Sequence, residues 1–230
     1  MIDRPEKLNA LGRRAHQELG DEIARADQDD HVRCIVLTST GKHFSAGSDL
    51  DDTGPGGAAD TDTGEYLLGP LTDCRKPVVA AVRGVAIGIG LTMLGHVDMV
   101  VFGESARMKA PFVSLGLCPE AGSSETLPRL LGAQLAADVF YTCRWLDAAE
   151  AVAAGLGSRI VPDEHLANEV QRMAESVAAH PVETLVVTKA LLAAGRVARA
   201  ADARVRENQR FAELVQSEAY LRAMAAWRSR

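Results

Sequence analysis

The sequence predicts an α/β protein whose strands pair in parallel. Up to about residue 122, short apolar runs typical of buried strands alternate with helical segments, and this alternation favours parallel pairing between layers of helices. From Ser123 onward the pattern is mainly helical and rich in alanine. We therefore predict a core over residues 1–175 and a helical C-terminal region over residues 176–230 that packs on the core and on neighbouring subunits.

The predicted elements follow one another in a regular order. Residues 8–27 repeat apolar side chains at three- and four-residue steps, which indicates an amphipathic helix. Further helices are predicted over 65–74 and 89–95, and an acidic, glycine-rich, mobile surface loop over 51–64. Three apolar runs are typical of strands buried on both faces: residues 34–38, 77–82 and 97–102. The later helices are predicted over 123–131, 133–141, 147–154, 164–179, 182–194 and 198–228.

Composition excludes several classes of protein. The 230 residues carry 25 Lys+Arg against 31 Asp+Glu, a net charge of −6, with 4% aromatic residues, so no nucleic-acid-binding surface is expected. The four cysteines are far apart and form no CxxC pair, which argues against a zinc site or a disulfide scaffold and favours a reduced, cytoplasmic protein. No secretory segment is expected, because the opening segment, residues 1–7, is polar. No membrane span is expected, because the longest uncharged apolar piece covers only about a dozen residues.

The first candidate site follows the strand predicted at 34–38. Residues 43–50 are mostly small, and such residues let a backbone approach a ligand closely and leave N–H groups free to point at it. The same residues also suit an ordinary turn from strand to helix, capped by Ser48 or Asp49.

The second candidate site is a glycine-rich turn over residues 84–92. It leads from a strand into a helix whose first N–H groups have no partner within the helix, and these groups favour negative charge. A dinucleotide site is disfavoured, because the third glycine of that motif and a well-placed acidic partner are both missing. A turn that is merely closely packed remains an alternative.

The third candidate site is Glu120, which stands beside Pro119 and small residues just before a predicted helix. A carboxylate at this place is often only a surface charge that complements the helix dipole. The six histidines are scattered without an acidic partner and are interpreted as surface or structural residues.

Together these stretches resemble the enoyl-CoA hydratase/isomerase (crotonase) family. Residues 4–11 resemble its opening signature, 44–50 its CoA-binding loop and 76–98 its central strand–turn–helix. The resemblance continues in order through 119–132, 148–155 and the pair Thr188 and Lys189, so it spans nearly the whole chain.

The resemblance implies a fold, a substrate and an assembly. The fold would be a crotonase-like spiral of ββα turns with a helical C-terminal trimerisation region, and the protein a homotrimer or homohexamer. The backbone N–H groups of Ser48 and Ile89 would polarise the thioester of an acyl-CoA. Neither a metal nor a cofactor is implied, since coenzyme A enters as part of the substrate. The residues implied in CoA and substrate binding are Lys7, Leu8, Ser45, Ala46, Gly47, Ser48, Asp49, Leu50, Gly88 and Ile89.

Two departures from the family pattern decide the predicted reaction. Where typical hydratases carry their two glutamates, this chain has Thr92 and Phe112. Residues 119–124 instead resemble the segment of the peroxisomal-type Δ3-Δ2-enoyl-CoA isomerases that holds their single catalytic base, which implies that role for Glu120. The expected pocket walls are Thr92, Phe112, Leu115, Leu117 and Cys118.

The resemblance thus implies an isomerase of fatty acid metabolism that converts 3-enoyl-CoA into trans-2-enoyl-CoA. Two alternatives stay open. One is another reaction of the family on a CoA thioester, such as hydration, thioester hydrolysis or carbon–carbon cleavage. The other is an acyl-CoA-binding module without catalytic activity.

Overall fold

A computed structural model of the chain describes residues 1–52 and 61–229. Its strands form two sheets. The large sheet is parallel and has the order β1 (Ile35–Leu37), β2 (Val78–Val82), β4 (Met99–Gly103), β7 (Arg159–Val161). The small sheet has the order β3 (Val85–Ile87), β5 (Arg107–Lys109), β6 (Leu146–Asp147). Strands β3 and β5 are parallel, and β6 runs antiparallel to β5.

The large sheet is buried because helices cover both of its faces. All five residues of β2 are buried, which explains why its sequence is apolar without alternation. On one face, Val79 and Val101 pack with Leu166 and Val170 of α7 (Leu166–Ala178). On the other face, the main core includes side chains of α1 (Arg13–Gln28) and α2 (Thr61–Asp73).

The chain alternates between the two sheets, passing from β2 to β3 and then from β4 to β5. This alternation agrees with the predicted spiral of ββα turns. Helix α3 (Ile89–Thr92) follows β3 directly, and a 3₁₀ turn, Met93–Gly95, extends it. Helices α4 (Ser123–Leu131) and α5 (Ala133–Thr142) follow the small-sheet strand β5, and α6 (Ala148–Ala154) follows β6.

The C-terminal region consists of α8 (Val182–Leu214) and α9 (Glu218–Arg228). Helix α8 packs on α4 and α2, and Leu191 and Leu192 on it are 77% and 82% exposed. No single helix in the described part of the chain is long and apolar enough to cross a membrane. One pair, Asp163–Ala178 with Val182–Leu214, reaches that length and hydropathy only together, across a bend of 106°.

Several predicted boundaries were wrong. The first helix begins at Arg13, because Pro5–Lys7 form a 3₁₀ turn and Leu8 and Asn9 adopt positive φ angles. Strands β3, β5, β6 and β7, of two or three residues each, were missed. The helices predicted over 182–194 and 198–228 are instead a 33-residue helix and a shorter one.

The predicted loop over 51–64 lies largely outside the described residues, and its last four residues belong to α2. The domain division between residues 175 and 176 stays a prediction, and it falls inside α7.

Candidate active site

The predicted CoA-binding loop is held between the opening segment and the small sheet. Ser45 pairs with Ala86 of β3, and the Ser45 Oγ donates to the Asn9 carbonyl at 2.8 Å while accepting from the Gly47 N–H at 3.1 Å. The Ala46 N–H donates to the Leu8 carbonyl at 2.9 Å. The structure therefore brings the two parts of the predicted CoA site, residues 7–8 and 45–50, side by side.

The second turn packs directly on the first, and glycines make this possible. A Cβ on Gly47 would lie 2.8 Å from the Ile87 carbonyl oxygen, and a Cβ on Gly90 would lie 2.7 Å from the Ser45 carbonyl oxygen. Gly47 and Gly88 also have φ angles of +95° and +54°, which side chains other than glycine rarely adopt. The spacing of small residues in both motifs thus reflects a close approach of two backbones.

This approach places two unused N–H donors at the junction of the turns. Within the described residues, neither the Ser48 N–H nor the Ile89 N–H has a hydrogen-bond partner. Ile89 is the first residue of α3, so its N–H points away from the helix interior. Such donors suit an oxygen that gains negative charge.

Ion pairs fix the charged side chains around the loop. Asp49 is 7% exposed and pairs with Arg4 at 2.5 Å. Burial is the largest single effect and opposes its ionisation, but the hydrogen bonds from Arg4 and from the Asp51 N–H, together with the positive charges of Arg4 and Lys7, outweigh it. They hold the pKa of Asp49 below its usual value. Lys7 pairs with Asp51 at 2.9 Å on the surface. A cavity of about 800 Å³ adjoins this region and is lined by residues from 1–22 and 49–52, including Lys7 and Asp49.

The third segment forms a compact turn that leads into α4. The Leu117 N–H donates to the Phe112 carbonyl at 2.8 Å, and the Ser123 N–H donates to the Glu120 carbonyl at 3.0 Å. Phe112 and Leu117 are buried, while Leu115 and Cys118 are partly buried and pack against the same core. Burial raises the pKa of the Cys118 thiol to about 11, so the thiol is protonated at neutral pH.

Glu120 is a half-buried acid in this segment. Burial, together with the nearby carboxylate of Glu207, raises its pKa from the ordinary 4.5 to about 7. A carboxyl group with this pKa can accept and return a proton near neutral pH. Thr92, on α3, is fully buried, and no partner for its hydroxyl is found in the part of the chain that the structure describes.

The comparison with known proteins gives one decisive match. The family model described as enoyl-CoA hydratase/isomerase matches residues 1–229. The chain belongs to the enoyl-CoA hydratase/isomerase family. The resemblance inferred from the motifs is thereby confirmed.

Similar proteins differ in the activity that their names state. The chain is 34% identical over 196 residues to the 1,2-epoxyphenylacetyl-CoA isomerase of Escherichia coli K12, covering 82% of this chain and 75% of that protein. It is 34% identical over 190 residues to a probable enoyl-CoA hydratase of Rhizobium meliloti, covering 82% and 74%. It is also 32% identical over 200 residues to human enoyl-CoA delta isomerase 2, covering 84% of this chain and 50% of the human protein.

Solved structures confirm the crotonase-like fold. The enoyl-CoA hydratase/isomerase from Pseudoalteromonas atlantica T6c has a TM-score of 0.93 and 39% identity, with 98% of this chain and 90% of that chain covered. Pseudomonas aeruginosa OdaA has a TM-score of 0.92 and 31% identity, with 99% and 93% covered.

Two residues of this family member were missed as site residues. His96 and Glu207 are 3% and 6% exposed, and both contact the backbone just after Glu120. The His96 Nε2 lies 2.6 Å from the Ala121 carbonyl oxygen, and Glu207 accepts from the N–H groups of Gly122 and Ser124. His96 stands among apolar residues and Glu207 among alternating charges in a long helix, so nothing in the sequence points to these contacts. No cluster of three metal-binding side chains occurs in the described ranges.

Proposed function

We propose that the protein is an isomerase that converts 3-enoyl-CoA into trans-2-enoyl-CoA in fatty acid metabolism. The observation that supports this proposal most is that Glu120 is a half-buried carboxyl group with a pKa of about 7. The positions of the two glutamates that typical hydratases carry are occupied here by Thr92 and Phe112, neither of which can ionise to a base. A double-bond shift needs only one carboxylate, whereas hydration must also activate water.

In the proposed reaction, the Glu120 carboxylate removes a proton from the α-carbon of the substrate. The electron pair is delocalised onto the thioester oxygen as a dienolate, which the N–H groups of Ser48 and Ile89 stabilise. Donors of this kind contribute about 2.7–4 kcal/mol each in oxyanion holes. The protonated Glu120 then returns the proton to the γ-carbon, so no water is consumed.

The substrate is proposed to lie along the two packed turns. Its CoA part would contact residues 7–8 and 45–50, where the opening segment and the loop are hydrogen-bonded to each other. Its acyl part would lie against Phe112, Leu115, Leu117 and Cys118. Phe112 itself packs on Phe140, with ring centroids 6.3 Å apart, which gives this wall an apolar surface that limits access of water to the dienolate.

We propose a homotrimer or homohexamer and a cytoplasmic location. The support for self-association is the apolar surface of α8, where Val187 and Val205 are 59% and 60% exposed in addition to Leu191 and Leu192. The support for a reducing compartment is that the four cysteines are free thiols. Light scattering coupled to gel filtration measures the assembly.

The test uses 3-hexenoyl-CoA and 2-hexenoyl-CoA in separate incubations. Conjugation of the first raises the ultraviolet absorbance of the enoyl thioester, and hydration of the second lowers it. We expect conjugation without hydration, and we expect Glu120→Gln to abolish it while leaving CoA binding intact. Glu125→Gln, five residues further along, serves as the control and should retain activity. Hydration of 2-hexenoyl-CoA, or turnover by Glu120→Gln, would refute the proposal.

A further inference from the structure

The turn that follows Glu120 has an unfavourable backbone conformation. Ala121 and Gly122 both have positive φ angles, +62° and +70°. A residue with a Cβ is uncommon in this region and persists there when the surrounding structure holds it. The direction in which the Glu120 side chain leaves the backbone therefore depends on what stabilises this turn.

Two buried side chains contact the backbone of this turn. His96, which follows α3 and its 3₁₀ extension, contacts the Ala121 carbonyl oxygen. Glu207, on α8, accepts from the Gly122 N–H at 2.5 Å with one carboxylate oxygen and from the Ser124 N–H at 2.8 Å with the other. The chain segment that carries Glu120 is thus fixed between the helix that begins at Ile89 and the C-terminal region.

The surroundings of the Glu207 carboxylate differ from those of most buried carboxylates. It is 6% exposed, and no ion pair to its carboxylate occurs among the residues that the structure describes. Buried carboxylates normally have a cationic partner. Here the compensation comes from two backbone N–H groups at the N-terminus of α4, so a full negative charge is held close to Glu120.

Among the groups that the structure describes around Glu120, Glu207 is the one whose charge affects the Glu120 carboxyl group. The pKa of Glu120 is raised first by burial and second by the Glu207 charge. His96 is neutral at physiological pH, because burial lowers its pKa to about 4. Arg204, also on α8, directs its guanidinium to Thr72 and Glu65 on α2. Cys118 carries a protonated thiol.

We propose that Glu207 is a positioning residue for the reaction, fixing the turn formed by Ala121 and Gly122 and keeping a negative charge beside the Glu120 carboxyl group. This inference rests on the proposed function, in which Glu120 is the base. Its two parts, hydrogen bonding and charge, can be separated by substitution.

The test compares Glu207→Gln with Glu207→Asp. Gln keeps the length but loses the charge and one of the two N–H acceptors, so we expect kcat to fall by up to ~100-fold, as for a displaced catalytic group. We also expect the acidic limb of the pH profile of kcat/KM to move to lower pH. Asp keeps the charge but is one methylene shorter, so kcat should fall while the limb stays at the wild-type pH. KM should change little in both variants.

Glu213→Gln, on the exposed side of α8, is the matched control and should match the wild type in kcat and in pH profile. Thermal unfolding shows whether each variant is folded. A folded Glu207→Gln variant with wild-type kcat, or one with lower kcat and an unmoved acidic limb, would overturn the proposal. If Glu207→Gln does not fold, the Asp variant decides, and a wild-type kcat in it overturns the proposal. Failure of the proposed function is separate, because it shows as turnover by Glu120→Gln.

Discussion

Glu120→Gln is expected to make the protein more stable at alkaline pH although it removes the proposed activity. The folded state raises the pKa of Glu120 from 4.5 to about 7, so it favours the protonated form. The stabilising effect of this protonation is fully present below pH 4.5 and is lost as the pH rises through 7. Above that pH an ionised carboxylate must be kept in a half-buried site beside Glu207.

The magnitude follows from the two pKa values. The difference between 4.5 and about 7 corresponds to ~3 kcal/mol, an upper limit because part of the side chain is accessible to water. At pH 8 the ionised Glu120 destabilises the folded wild type by nearly all of this energy, and the neutral amide of Glu120→Gln, which has the same shape, avoids that cost. For a chain of this size, each kcal/mol shifts Tm by roughly 2–4 °C, so the gain in Tm at pH 8 is up to ~12 °C. At pH 5 the gain is ~1 kcal/mol or less.

The assay is urea unfolding of wild type and variant at pH 5 and pH 8, at one protein concentration. The variant-minus-wild-type difference isolates Glu120, since all other groups titrate in both proteins. Glu213→Gln, which removes an exposed carboxylate paired with Arg210, should give a small difference at both pH values. A variant that is less stable than the wild type at pH 8, or a gain that does not depend on pH, would show that Glu120 is not held in a destabilising site.

Two further experiments test the close packing of the two turns and the pKa of the buried His16. Gly90→Ala places a Cβ 2.7 Å from the Ser45 carbonyl oxygen, so the two glycine-rich turns should separate and kcat should fall by up to ~100-fold. In the control Gly69→Ala, on α2, the new Cβ meets no atom within 4 Å, so this variant should retain kcat and gain about 0.5–1 kcal/mol of stability. Equal kcat values for the two variants in steady-state assays would argue against the close packing. His16 is 2% exposed and burial lowers its pKa from 6.5 to about 4, so its contribution to stability is present above pH 6.5 and lost as the pH falls toward 4. The free energy of unfolding of His16→Leu, minus that of the wild type, should therefore be ~2 kcal/mol larger at pH 5 than at pH 7. Urea unfolding curves that depend on pH equally in both proteins would contradict this.

The contrast between Glu120 and Glu207 shows what limits inference from sequence. Glu120 could be proposed as the base from the sequence, because its neighbours in the chain, a proline and small residues before a helix, resemble a family segment. Glu207 stands 87 residues later in a helix whose charges suggest only a solvated face. Its role depends on how α8 crosses α4, and no local pattern encodes that crossing.

The sequence alone determined the α/β class, three of the four strands of the large sheet, the two glycine-rich turns and the family, because each of these depends on local periodicity or on residues with special backbone freedom. Only the tertiary structure decided which elements pair, where the short strands lie and which buried groups hold the turn after Glu120. These depend on contacts between residues far apart in the chain. A short strand is stabilised by its partners across the sheet and a buried carboxylate by the backbone of another helix, so neither leaves a periodic signal in its own segment.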